Sequence, residues 1–371
     1  MSTANLLSLL GLTQGFVLGL IILFSHRSDR PTRLLGCFVF TLTLRVIPFL
    51  VGRTEYGSLR PELMWLPLYF WYSSLPLLYL YARHLTGRLV WRRDWFHLVP
   101  GLLEGLFLCG LLLAETVLGP DTFTAEQRRS IFGVYMALAV PPNIFYGYLM
   151  FRLLRVHENN ILHYYSDLTG KDLHWLKMVM VFMIVFGTVY CLARFGPFAV
   201  NLRTIILTAA ALNTGAIYYV TLNGLRQFAL RSPTPESLPK ETDAQAVEAT
   251  NRTDEPPTGF TRIDKYIRTN RAYTDPQLTI SDLSKLLNTS ERSLSRIINS
   301  GSGLHFNGYI NQYRVERAKQ LLQDDAFDHY TMEGIANEAG FNSKATFYKA
   351  FKQYSDLSPA NFRKQRVLTE T

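Results

Sequence analysis

Long apolar stretches alternate with short polar loops over the first two-thirds of the chain, whereas the last third shows short amphipathic periods. A bilayer core about 30 Å thick needs roughly 20 apolar residues in each helix that crosses it. Seven stretches meet this requirement, and they are Asn5–Phe24, Leu34–Val51, Met64–Tyr81, Phe96–Ala114, Ile131–Phe151, Met178–Ala193 and Thr204–Leu222. The pattern predicts an all-α protein in which residues 1–230 form a seven-helix transmembrane bundle and residues 259–371 form a separate helical domain.

The flanks of the apolar stretches indicate how the helices are used. No basic segment precedes the first stretch and no small-residue cleavage site follows it, so we expect a retained helix rather than a secretory signal. The loops after the first, third, fifth and seventh stretches hold about twice as many Lys and Arg residues as the alternate loops. Basic residues in short loops mark the cytoplasmic side. We therefore expect a multi-pass protein in the lipid bilayer, with the N-terminus outside and the C-terminal domain in the cytoplasm.

Four polar residues lie inside the predicted spans: Arg45, Glu104, Asn143 and Asn213. At 1.5 Å per residue they lie about 12–16 Å from the starts of their helices, so we expect them to meet in one layer. An isolated charge at that depth is costly, and Arg45 and Glu104 are expected to pair or to line a wet cavity. Two interpretations stay open: a structural clamp without a ligand, and a site that responds to an unknown small ligand or membrane signal.

Two adjacent prolines, Pro141 and Pro142, precede Asn143 in the fifth stretch. They are expected to kink the helix and to free backbone carbonyls there. This feature favours the cavity.

Residues 231–258 are rich in Pro, Thr and acidic side chains and poor in large apolar ones, which predicts a disordered acidic linker. As a flexible coil of about 28 residues it would span roughly 30 Å. Such a tether does not transmit a helix rotation, but it lets a homodimer of the membrane part bring two C-terminal domains together. Because the net charge of +9 includes this acidic linker, the flanking parts are more basic than the total indicates.

The C-terminal domain begins with a pair of short helices. A capping box at Thr279 opens the first helix, and Ser290 caps the second, over Glu291–Asn299. Leu294, Ile297 and Ile298 form the apolar side of this second helix. Its other side consists of Arg292, Ser293, Ser295, Arg296 and Asn299. This arrangement is typical of DNA-binding domains that contact the major groove. They consist of a helix, a short turn and a second helix with a polar outer face.

The same pattern recurs after a longer helix over Phe306–Gln323. Thr331 caps Met332–Ala339, and after a turn Ser343 caps Lys344–Tyr354. The candidate contact residues of this second pair are Ser343, Lys344, Thr346 and Lys349. The sequence therefore predicts two helix-turn-helix units that each contact DNA.

The C-terminal residues resemble a known family. The run Ile335-Ala-x-x-Ala-Gly-Phe-x-Ser343-x-x-Thr-Phe347-x-x-x-Phe-Lys352, with Ser358-Pro-x-x-Phe-Arg363 and the upstream Tyr313-Arg314-x-x-x-Ala318, resembles the signature of the AraC/XylS family of bacterial transcription regulators. The resemblance covers about residues 260–366. It implies that two recognition helices enter successive major grooves of double-stranded DNA. Arg292 and Arg296 would face bases from the first helix, and Lys344, Thr346 and Lys349 from the second. The family often has glycine where this chain has Asp356.

The membrane part is similar to membrane-bound AraC-type proteins of some bacteria. The residues that carry this similarity are Leu75-Pro-Leu-Leu-Tyr-Leu-Tyr-x-Arg-x-Leu-Thr-Gly87 and Asp94-x-x-His97-x-x-Pro100. It implies a bacterial inner (cytoplasmic) membrane and brings no known ligand.

Other functional classes find no support in the sequence. The seventh stretch has no lysine for a retinal Schiff base, and no His-Glu-x-x-His or intramembrane aspartate indicates a protease. Cys37, Cys109 and Cys191 lie in apolar runs and are interpreted as small hydrophobic residues. We therefore expect no catalytic residue, no metal and no cofactor. The predicted function is a membrane-anchored one-component transcription regulator, and the alternative is a transporter or receptor whose DNA-binding tail is only a tether.

Overall fold

The computed structural model describes residues 3–24, 30–51, 60–87, 89–120, 122–195, 202–229 and 258–369. Within these ranges all regular secondary structure is helical, as predicted. The chain divides into two compact units: unit 1 is Met1–Arg155 with Leu173–Leu238, and unit 2 is Val156–Asp172 with Pro239–Thr371. The segment 156–172, which lies between the fifth and sixth predicted spans, thus belongs with the C-terminal helices. The predicted linker at 231–258 falls outside the described ranges except for residue 258.

Unit 1 is a bundle of long helices with several interruptions. Its helices are α1 (Thr3–Phe24), α2 (Arg30–Leu44), α3 (Val46–Val51), α4 (Ser74–Leu85), α5 (Trp91–Asp94), α6 (Val99–Leu118), α7 (Ala125–Leu138), α8 (Val140–Tyr164, whose last residues pass into unit 2), α9 (His174–Phe195) and α10 (Leu202–Ala229). Two short 3₁₀ helices lie at Pro61–Trp65 and Trp95–Leu98.

In the described part of the chain, four helical stretches are long and apolar enough to cross a membrane. They are Leu6–Phe24, Arg92–Leu118, Ala125–Tyr164 and His174–Leu192, which correspond to the first, fourth, fifth and sixth predicted spans. The third predicted span differs, because only its part after Ser74 is α-helical. The second is divided at Arg45, between α2 and α3. The count of seven spans stays a prediction.

The helix interruptions coincide with prolines, which supply no backbone N–H and clash with the preceding turn. Pro48 follows the break at Arg45, and Pro141 and Pro142 follow the break at Ala139 between α7 and α8. At the second break the Ala139 N–H bonds to Met136 O instead of reaching back four residues. The carbonyl of Tyr135 instead accepts the Tyr72 hydroxyl at 2.9 Å.

The core of unit 1 shows the close helix packing that small residues allow. Gly11, Gly15 and Gly19 follow one another at four-residue spacing along one face of α1. A Cβ atom at Gly15 would collide with the Thr43 side chain of α2, and one at Gly11 would lie 2.5 Å from Thr214 Oγ1 of α10. These glycines therefore let α1 approach both neighbours.

Unit 2 contains a chain of short helices around one long helix. The helices are α11 (Thr258–Thr269), α12 (Ile280–Leu287), α13 (Glu291–Ser302), α14 (Phe306–Gln323), α15 (Met332–Glu338), α16 (Lys344–Ser355) and α17 (Pro359–Thr369). Two hydrophobic clusters fill this unit. Phe306 and Ile310 of α14 belong to the first, and Val315 and Leu321 of the same helix belong to the second. One rigid helix therefore carries both halves.

The helix ends of unit 2 follow the sequence closely. Thr279 and Asp282 form the predicted capping box, and the hydroxyls of Ser290, Thr331 and Ser343 each accept a hydrogen bond from the third helical N–H. Asp356 takes the left-handed conformation, with φ 56°, at the position where the AraC family often has glycine. Leu286 of α12 is 61% exposed, although the 3.6-residue period would place it on the apolar face with the buried Ile280 and Leu283.

Candidate nucleic-acid interface and buried polar cluster

The first candidate contact surface is the outer face of α13. Leu294 and Ile298 are fully buried and fix which side of this helix faces the core. On the other side Arg292, Arg296 and Asn299 are exposed. Ser293 and Ser295 are partly buried at the edges of this face. The three exposed side chains leave two guanidinium groups and one amide on one face of a short, well-capped helix.

The second candidate surface is the start of α16. Lys344 and Lys349 are exposed, whereas Ser343 and Thr346 are partly buried. The Ser343 hydroxyl accepts the Thr346 N–H at 3.2 Å and lies 2.8 Å from the Thr346 hydroxyl. Ser343 and Thr346 thus set the start of the helix, and the two lysines supply its charge.

A polar network fixes α11 against α14 beside the first surface. The Asp264 carboxylate accepts hydrogen bonds from the Tyr313 hydroxyl, from Arg268 Nε at 2.8 Å and from the Tyr309 hydroxyl at 3.2 Å. Burial by itself would raise the pKa of Asp264, but the hydrogen bonds from Tyr313 and Arg268 outweigh it and hold the pKa below its usual value. The carboxylate therefore stays charged and ties the two helices together.

Residues 156–172, which we call the docking segment, pack into unit 2 in a way that the sequence did not predict. Ser166 is fully buried, and both its N–H and its hydroxyl donate to Leu278 O, at 3.3 and 2.6 Å. Asn307 Nδ2 donates to Ser166 O at 2.8 Å. The buried guanidinium of Arg314 donates to Ser166 O at 3.2 Å and to Ser166 Oγ at 3.0 Å.

The docking segment also contacts both candidate surfaces or their supports. Asn342, in the turn before α16, donates to Asp167 Oδ2 at 3.0 Å. Tyr165 forms an isolated antiparallel bridge with Thr279. His163 Nδ1 lies 3.2 Å from Ser295 Oγ on α13. One segment thus contacts the first helix pair and the turn of the second.

In unit 1 the four predicted polar residues gather around Trp71. Glu104 Oε1 accepts the Trp71 N–H at 2.7 Å, and Asn143 Nδ2 donates to Trp71 O at 3.2 Å. The Arg45 guanidinium lies 5.7 Å from the centre of the Trp71 ring. Asn213 joins the cluster through Arg45, because its Oδ1 accepts from Arg45 Nε at 2.8 Å and from Nη2 at 2.5 Å.

The expected pairing of Arg45 with Glu104 is corrected by this geometry. Glu104 is surrounded by four donors, which are the N–H groups of Trp71 and Tyr72, the Ser73 hydroxyl and the Tyr135 hydroxyl. The backbone donors are available because residues 66–73 are not α-helical. A groove of about 780 Å³ opens beside this carboxylate, and its lining is mostly apolar, including Leu103, Phe107 and Val134.

Comparison with known proteins identifies the C-terminal part of the chain. A helix-turn-helix domain family matches residues 283–365. The Msm operon regulatory protein of Streptococcus mutans is 35% identical over 88 residues, which is 24% of this chain and 31% of that protein. The transcriptional regulatory protein HptR of Staphylococcus aureus is 34% identical over 89 residues, which is 24% of this chain and 34% of that protein.

A solved structure of a protein of unknown function from Listeria innocua is also similar, with 27% identity over 28% of this chain and 93% of that chain and a TM-score of 0.25. The match spans about a third of the length of the two curated regulators. The two curated regulators, the matched domain and the signature between Ile335 and Lys352 agree with one another. The C-terminal part of this chain is an AraC-type helix-turn-helix domain of the kind that bacterial transcription regulators carry.

Proposed function

We propose that this chain is a membrane-anchored one-component transcription regulator that binds promoter DNA through both helix-turn-helix units. The observation that carries the proposal is the exposed pair Arg292 and Arg296 on the outer face of α13, in an AraC-type domain. Arginine is the usual partner of guanine O6 and N7 in the major groove. Four apolar helical stretches of spanning length in the same chain support the membrane anchor.

The second helix-turn-helix unit adds charge and positioning. Lys344 and Lys349 are exposed at the start and middle of α16, where they fit contacts to phosphates or base edges. Ser343 and Thr346 hold the helix start and stand beside the same surface. Because α14 carries both halves, the two units are expected to reach neighbouring segments of one DNA duplex.

The membrane location follows the loop charges. The C-terminal domain faces the cytoplasm, where promoter DNA is, and the chain is embedded in a bacterial inner membrane. The polar cluster around Trp71 is the proposed sensing element, because it places Arg45, Glu104 and Asn143 beside interrupted helices. The groove next to Glu104 would accept an apolar molecule, and a change there would alter the α7–α8 break.

The test of DNA reading compares two arginines of the same domain. Full-length protein in lipid nanodiscs is used to select duplexes from a random-sequence library, and affinities of Arg296→Ala and of the control Arg262→Ala are measured for the selected sequence and its point variants. Arg262 is exposed on α11. We expect Arg296→Ala to lose about 1–3 kcal/mol at one base pair and to relax the preference there.

The other outcomes of this test are equally informative. Uniform weakening across all sequences would make Arg296 a phosphate contact. If the Arg296→Ala and Arg262→Ala proteins show the same affinities for all duplexes, α13 is not the helix that reads the bases. If the wild-type protein enriches no duplex at all, the proposed function is wrong.

A further inference from the structure

The docking segment joins two parts of unit 2 that are far apart in sequence. Its residues 165–167 contact Leu278 and Thr279 before α12, Asn307 and Arg314 on α14, and Asn342 before α16. These five residues belong to the first helix-turn-helix unit, the connecting helix and the second unit. Because the segment contacts all three, its position fixes the spacing of the two helix-turn-helix units.

The contact is built like a folded core and not like a surface encounter. Ser166 and Arg314 are 0% and 1% exposed, and Asp167 is 5% exposed. Burial lowers the pKa of Arg314 to about 10, so the guanidinium stays protonated at neutral pH, and it needs hydrogen-bond acceptors. Ser166 supplies two of them. The C-terminal helices alone would leave two donors of this buried cation without these acceptors.

The docking segment leaves the centre of the reading face open. Arg292 and Arg296 are exposed while the segment is bound, and His163 of the segment contacts α13 at Ser295, at the edge of that face. A device that blocks DNA would be expected to cover the arginines. The geometry instead fits a segment that positions the two helix-turn-helix units and leaves their exposed faces accessible to DNA.

We propose that the docking segment is a built-in partner of the DNA-binding domain, and that its binding holds the two helix-turn-helix units in the arrangement that reads DNA. The proposal rests on the proposed function. Both ends of the segment continue into unit 1, through α8 and α9, so the segment is a second connection to the membrane part besides the linker. A change in the spacing of α8 and α9 would pull on this contact and weaken DNA binding.

The experiment uses the full-length protein in lipid nanodiscs and the duplex that the wild-type protein selects from a random library. A double variant, Ser166→Ala with Asp167→Ala, removes side-chain contacts to Leu278, Arg314 and Asn342. The matched control is Asp172→Ala, because Asp172 is an exposed acidic residue of the same segment. We expect the double variant to bind DNA about tenfold more weakly, the effect of about one lost charge-assisted hydrogen bond. The control should stay within about twofold of the wild type.

A second measurement does not depend on any variant being folded. If docking favours DNA binding, DNA must favour docking to the same extent. Addition of the selected duplex to the wild-type protein should therefore slow amide hydrogen exchange at residues 165–169. Faster exchange there, tighter binding by the double variant, or equal affinity of the double variant and the control would each overturn the proposal. Failure to select any duplex would instead refute the proposed function on which it rests.

Discussion

Among the described residues, each unit of this protein buries one arginine, and the two arginines are held in different ways. Arg45 of unit 1 is 4% exposed and Arg314 of unit 2 is 1% exposed. In the described part of the chain neither guanidinium forms an ion pair with a carboxylate. Both are satisfied by neutral oxygen atoms, but the number and origin of these oxygens differ.

Arg314 collects acceptors from three separate stretches of chain. They are Tyr273 O at 2.7 Å, Asp275 O at 2.7 Å, Asn311 Oδ1 at 3.4 Å and the two Ser166 oxygens. Three of these five acceptors are backbone carbonyls that lie outside the α-helices. A guanidinium with five N–H donors can therefore tie three segments together at once.

Among the described residues, Arg45 has one oxygen partner, Asn213 Oδ1, and its guanidinium lies 5.7 and 5.6 Å from the ring centres of Trp71 and Phe186. The reason lies in the backbone around it. An α-helix uses its own backbone carbonyls as hydrogen-bond acceptors, so few remain for a side chain. A buried cation among helices must then use a side-chain amide and ring faces. Arg314 thus organises its unit, whereas Arg45 forms a local pair.

The largest effect is expected for Arg314→Met. The substitution keeps much of the apolar stem but leaves several buried oxygens without a donor, which should cost about 3–5 kcal/mol of unfolding free energy in unit 2. Amide hydrogen exchange of α14 in the full-length protein measures it. Arg317→Met on the same helix is the control, because Arg317 is only partly buried and its contact with Gln320 is 3.5 Å long. A loss below about 1 kcal/mol at position 314 would show that Arg314 does not organise the unit.

The next effect tests whether Arg45 is a local pair. Asn213→Leu leaves the guanidinium without its oxygen and should cost about 2–3 kcal/mol. The double variant Arg45→Met with Asn213→Leu removes both polar groups, and replacing a buried polar pair by apolar residues is often nearly neutral. Unfolding in mixed detergent and SDS micelles measures both. A double variant as unstable as the single one would mean that Arg45 supports more than this pair.

The two units also differ in how well the sequence predicted them. In unit 2 the helix starts were predicted at Thr279, Ser290, Thr331 and Ser343, and all four side chains cap as expected. Caps and the 3.6-residue period are local signals, since cause and effect lie within a few residues. The helices around them therefore followed from the sequence.

The contacts of the docking segment and of the Trp71 cluster could not be predicted from the sequence, because the partner residues lie far apart along the chain. Ser166 has no local feature that indicates Leu278, which lies 112 residues downstream. Near Trp71 one signal was available: Pro67 lies within the third predicted span, and Leu66 before it is extended, with φ −51° and ψ 129°. That proline predicts an interrupted helix, and the interruption supplies the free N–H groups that bind Glu104.

Glu104 provides a third test, since it is the buried group of unit 1 whose set of hydrogen-bond partners most resembles that of Arg314. Its carboxylate accepts from four donors, two of them backbone N–H groups. Glu104→Gln would turn an NH₂ group towards these donors and should cost about 2 kcal/mol in the same micelle assay. Glu126→Gln, at an exposed position in the first turn of α7, is the control. An unchanged Glu104→Gln protein would show that the donors find other acceptors.

The smallest expected effect concerns packing, which takes the place of backbone hydrogen bonds in holding the helices of unit 1 together. Gly15→Ala places a methyl group against Thr43, and this overpacking should cost about 1–2 kcal/mol. Gly105→Ala is the matched control in α6, because a Cβ there would meet no side chain or neighbouring helix of the described residues within 4 Å. That change should be neutral or should stabilise the helix by up to about 1 kcal/mol. If the two alanine variants unfold at the same SDS fraction, close approach of α1 and α2 does not hold unit 1 together, and the Arg45 pair must contribute more than its single oxygen partner indicates.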